Sequence, residues 1–111
     1  MDELYAKFLP QFAALARDRM QRAYEASAQP APDGPTMTNV MRDLHSIAGE
    51  AGLLGLASIV PIARNAEDHA KRLRDGKADP GAGAGAFVGA LDELKLAIDA
   101  VGASSKAKDA K

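Results

Sequence analysis

The segment Leu44 to Leu56, LHSIAGEAGLLGL, departs from an ordinary helical pattern. One histidine, His45, is followed by glycines at positions 49, 52 and 55. Each glycine inside a helix costs roughly 1 kcal/mol relative to alanine. A helix that accepts Gly49 and Gly52 gains something from the missing side chains. At about 100° per residue, with Leu44 at the centre of the apolar stripe, His45 falls about 100° away, Gly52 about 80° and Gly49 about 140°. The three share one strip at spacing i, i+4, i+7, with the small Ala48 nearby, so the imidazole projects from a cleared patch. Histidine as a residue type is largely uncharged and nucleophilic near neutral pH, which suits a phosphoryl or acyl group brought in line by a second protein. The same spacing also describes a boundary histidine on a helix packed closely through small residues, and one helix alone does not separate the two.

Other chemistry finds little support. Without cysteine there is no disulfide, thiolate metal site or thiol nucleophile. His69, beside Glu67 and Asp68, has no glycine clearing its surroundings and reads as a structural boundary residue. His45 and His69 lack the close spacing of a zinc motif and have no third ligand, so neither metal nor cofactor is expected. The GAGAGA run at 81–86 lacks the lysine and hydroxyl residue of a phosphate-binding loop and has no strand before it. Fourteen basic against fifteen acidic residues give a net charge of −1, leaving no basic surplus for nucleic acid. No apolar run approaches the roughly 20 residues that span a bilayer. The stretch MDELYAKFLP lacks the order of a signal peptide, and a cytoplasmic location is expected.

Residues of this kind need rigid elements to position them. The chain of 111 residues is one domain's worth, and its 24 alanines against five aromatics favour an all-α fold. Leu4, Phe8, Phe12, Leu15, Ala16, Met20 and Ala23 recur at helical spacing between Asp2 and about Ser27. Pro10 interrupts them and predicts a short lead-in helix, then a longer one. Gln29–Pro35 reads as a loop, with Thr36 or Thr38 capping a second helix that ends near Leu54 and Gly55. Its stripe is Met37, Val40, Leu44, Ile47, Ala48, Ala51 and Leu54. A third helix covers about Ala57 to Asp75, capped by Ser58 and stopped by Gly76, with Ile59, Ile62, Ala63, Ala66, Ala70 and Leu73 inward. Lys77–Gly85 reads as a flexible connection. The last helix, about Ala86 to Val101, shows Phe87, Leu91, Leu94, Ile98 and Val101 at heptad spacing. Met20, Met37 and Met41 read as core filler. The pattern predicts an antiparallel up-down four-helix bundle over residues 1–102, with 103–111 a flexible tail. Single-stripe helices fit a monomer.

With those elements in place, His45-Ser46-Ile47-Ala48-Gly49-Glu50-Ala51-Gly52-Leu53-Leu54-Gly55 resembles the signature of the histidine phosphotransfer (HPt) domains. His45, Gly49 and Gly55 take the family's histidine and glycine positions, with Ile47, Ala51 and Leu54 in its apolar slots. The stretch IARNAEDHAKRL at 62–73 looks like the family's next helix. The resemblance implies a phosphocarrier without an ATP site of its own. His45 would pass a phosphoryl group between aspartates of receiver domains, supplied by response regulators or a hybrid kinase; the magnesium ion would belong to the receiver. It implies a docking face of Met41, Arg42, Ala48, Gly49, Gly52 and Leu53 around His45. The departure is Ala48, where the family usually carries a lysine that helps neutralise the phosphoryl group. Arg42, at i−3 from His45, is a candidate replacement. The rival reading is a helical adaptor that binds a receiver or kinase without phosphotransfer.

Overall fold

The computed structural model describes residues 2–29, 32–77 and 80–109. They form four helices: α1 (Asp2–Ser27), α2 (Gly34–Leu53), α3 (Ile59–Arg74) and α4 (Pro80–Asp109). Each packs on its neighbours in the chain and α4 closes back on α1, while among the described residues the diagonal pairs make no close backbone approach. Cross-helix pairs fix the directions. Arg19 meets Glu50 and Arg22 meets Asp43, so α1 and α2 run antiparallel. His45 meets Glu67 across α2 and α3. Tyr24 donates to Asp92 at 2.6 Å and Arg17 meets Asp99 across α1 and α4. The expected all-α four-helix bundle is what the chain forms.

Its core follows the stripes. Leu9, Phe12, Ala16 and Met20 of α1, Met37, Val40, Leu44 and Ile47 of α2, and Phe87, Leu91, Leu94 and Ile98 of α4 are buried. From α3 come Ile59, Ala63, Ala66 and Ala70; methyl-sized side chains let this helix lie close to its neighbours. No buried side-chain polar atom among the described residues lacks a hydrogen-bond partner.

Several boundaries differ from the sequence reading, each for a local reason. Helix α1 is continuous through Pro10, with no separate lead-in helix. Pro10 is exposed while Leu9 and Phe12 on either side are buried, so packing holds the helix together and water can take the carbonyl that proline leaves without a donor. The α1 stripe also turns: Leu9 is in the core, while Phe8 and Leu15 are exposed. Leu4 lies outside the residues whose side chains are described. The α2 cap is Asp33, not a threonine; its carboxylate accepts from Thr36 N at 2.8 Å, and the Thr36 side chain together with that amide holds the carboxyl below its ordinary pKa. Pro35 then sits in the first turn, where a missing donor costs nothing. Ser58 occupies the cap position of α3 but makes no side-chain cap bond; Ile59 N donates to Leu56 O at 3.0 Å, so the turn before the helix already supplies a partner. Helix α4 takes in 80–85 and continues to Asp109, beyond the expected limits at both ends, because extending a formed helix is far easier than starting one. Parts of both predicted connections, residues 30–31 and 78–79, and of the predicted tail, 110–111, lie outside the described residues.

Both stops predicted at glycine hold. Gly55 has φ +74° and Gly76 φ +68°. After α2, Leu56 N donates to Ala51 O at 2.8 Å and Gly55 N to Gly52 O at 3.2 Å; after α3, Lys77 N donates to Arg72 O at 2.9 Å and Gly76 N to Leu73 O at 3.3 Å. These are the paired bonds of a left-handed helix stop. A Cβ at Gly55 would meet nothing within 4 Å, so Gly55→Ala tests backbone strain alone. It is expected to lower unfolding stability by about 1–2 kcal/mol in a denaturant titration.

Candidate functional site

Leu56 is the pivot of the site. The chain folds back there, so positions equidistant from it come together: His45 opposite Glu67, and Gly52 opposite Val60, whose Cγ2 would lie 3.9 Å from a Cβ on Gly52. The pairing sets the imidazole at the open seam between α2 and α3. Its side chain is 72% exposed, the most accessible group in any cross-helix ion pair described. Nδ1 stands 3.4 Å from Oε2 of Glu67, which is 24% exposed. The ring's other nitrogen, Nε2, is left without a protein partner among the described residues.

The glycines do what their wheel positions predict. Gly49 is exposed, and a Cβ there would meet nothing within 4 Å. Packing therefore does not demand this glycine; the fold would accept a side chain and the sequence omits one beside His45. Leu53 points outward at 86% exposure, and Met41 is partly buried against the core. Ala48 is a correction: it is 3% exposed, its methyl turned into the core, and it offers no side-chain surface to a partner. Only about 40° separates it from Leu44 on the wheel, which is core geometry. Arg42 is exposed on the outer face of α2, about 60° round from His45 at i−3, and also lines a groove with Arg22, Asn39 and Asp43. Glu50 is engaged with Arg19 at 2.7 Å. His69 is half-buried on α3, about 200° round from Glu67, and takes no part in the site. No group of three or more metal-ligating side chains forms among the described residues.

Two features were missed in the sequence. In the sequence Glu67 is only a neighbour of His69; reflecting position 45 through the turn at 56 identifies it as the residue opposite His45. Phe8 and Leu15, which recur at helical spacing with the buried residues of α1, are exposed; they join Leu53 and Leu54 in lining an open apolar groove of about 420 Å³ between α1 and the end of α2. The groove lies on the α1 side of α2 and His45 on its α3 side, with Leu53 two turns beyond the histidine on the same helix.

A four-helix bundle with a bare histidine on its second helix is the architecture of a phosphocarrier module, and a family model for the Hpt domain matches residues 7–104. The chain belongs to the Hpt domain family. Members carry phosphoryl groups in phosphorelays and interact there with receiver domains and kinases. Comparisons with curated proteins and with solved structures found no match. No described helix is long and apolar enough to cross a membrane.

Proposed function

We propose that His45 itself accepts and donates the phosphoryl group, through Nε2, and that the chain shuttles it between receiver aspartates. The observation that carries this reading is the ring's placement: 72% exposed, with Nδ1 beside Glu67, next to a glycine the fold does not need. A carboxylate next to Nδ1 favours the tautomer with its proton there, which leaves the Nε2 lone pair directed outward. In the forward step an Nε2–P bond forms as the P–O bond to the receiver's aspartate breaks. The carboxylate leaves with the electron pair, and the proton stays on Nδ1. The transition state is loose, so alignment and charge neutralisation dominate the rate.

The receiver's docking face would run over Met41, Gly49, Gly52 and Leu53, with Arg42 at its rim and the Phe8–Leu15 groove at its far edge. Ala48 contributes backbone alone. The protein acts as a cytoplasmic monomer on this reading, and receivers bring the divalent ion and most catalytic groups. Incubation with radiolabelled phosphorylated receivers tests it. Base-stable, acid-labile label on this chain supports the carrier; binding to a receiver with no label transferred identifies the adaptor reading that Ala48 leaves open.

A further inference from the structure

A phosphoryl group on His45 would bring negative charge to a ring whose one described charged neighbour is the carboxylate of Glu67. A matching cation is needed, and at the family's lysine position α2 does not provide it: Ala48 is apolar and buried, and Arg42, one turn before His45, also lines the groove with Arg22 and Asp43. Helix α3 does. Arg64 and Lys71 stand one turn to either side of Glu67, at i−3 and i+4, and within roughly 60° of it around the helix. Both are exposed, and neither takes part in an ion pair among the described residues.

We propose that Arg64 and Lys71 of α3 bind the phosphoryl oxygens at His45, so that the neutralising charge comes from across the helix seam rather than from the histidine's own helix. This rests on the phosphocarrier reading. Side chains on a helix lean toward its N-terminus, and α3 runs opposite to α2. Lys71 therefore leans back over Glu67 and the imidazole, while Arg64 leans toward the opening at Gly49 and Gly52, where a phosphoryl group must enter. As Nε2 displaces the leaving group from phosphorus, the charge on the phosphoryl oxygens passes from the donor's cations to these two. Arg64, with its planar fork of donors, can grip two oxygens at once, whereas Lys71 acts as a compact point charge.

The experiment uses the full chain and phosphoramidate, a small donor that needs no receiver; its P–N bond breaks and ammonia leaves as Nε2 takes the phosphoryl group. Phosphorus NMR follows both the labelling rate and the pH at which the bound phosphoryl group titrates. The double variant R64Q/K71Q is expected to label about tenfold more slowly, as befits the loss of charge-assisted hydrogen bonds, and its phosphoryl group to titrate at higher pH. The charge-preserving R64K/K71R should keep the wild-type titration, and R72Q, about 140° round α3 from Glu67, should match wild type in both readouts. A folded double variant with wild-type rate and titration overturns the proposal, as does an equal loss in R72Q or a larger one in R42Q. Wild-type chain that labels from phosphoramidate but from no phosphorylated receiver sinks the relay reading instead, and leaves the assignment of Arg64 and Lys71 to the double variant.

Discussion

His45→Gln is expected to abolish phosphoryl acceptance while leaving the bundle intact. Glutamine keeps a polar side chain of comparable length but has no nitrogen lone pair able to form a phosphoramidate. The loss of acid-labile label should therefore be complete, whether the donor is a phosphorylated receiver or phosphoramidate. Stability should barely move. The imidazole is 72% exposed and its contact with Glu67 is a surface pair at 3.4 Å, worth at most about 1 kcal/mol, and surface substitutions usually stay within about 0.5 kcal/mol. Far-ultraviolet circular dichroism and a denaturant midpoint check that half. Residual label on the Gln variant would relocate the acceptor, and His69 would be the residue to replace next.

The parts of this molecule legible in the sequence are those governed by one helix at a time. The stripes of α2 and α4 repeat at clean spacing, and their members Leu44, Ile47, Phe87, Leu91 and Leu94 are all fully buried. The stops at Gly55 and Gly76 follow from a backbone conformation that glycine alone adopts without strain. What failed required knowledge of a neighbour. Phe8 and Leu9 are both apolar, and which of them faces inward depends on where α4 and α2 lie. Pro10 breaks a lone helix, but here buried residues on both sides keep α1 continuous through it. Asp33 outcompetes Thr36 and Thr38 for the cap because Pro35 in the first turn fixes where the helix can start.

The site divides along the same line. His45 and its glycines share one helix, so their strip could be read from a wheel. Glu67, Arg64 and Lys71 belong to the opposite wall, and only the turn centred on Leu56 brings that wall into register. Ala48 shows the limit of the one-helix view from the other side: a small residue near the histidine looks like part of the cleared surface, but its angle places it in the core.

Gly49 separates the demands of folding from those of docking, and substitutions there are expected to move the two in opposite directions. Gly49→Ala removes a flexible residue from a helix interior at a point where a Cβ meets nothing within 4 Å. It should stabilise the protein by about 1 kcal/mol, raising the thermal midpoint by about 4–8 °C. Gly49→Phe also keeps its ring outside the core and should fold, but it sets that ring one turn from His45, in the space a receiver must enter. Transfer from a phosphorylated receiver is expected to slow by about a hundredfold, equivalent to about 2.7 kcal/mol in the barrier. Labelling by phosphoramidate, small enough to pass the ring, should slow far less. That contrast is what a cleared docking surface requires. If Gly49→Phe accepted phosphate from receivers as fast as wild type, the bare strip would have no part in receiver access, and the energetic cost of a glycine at this position would need another cause.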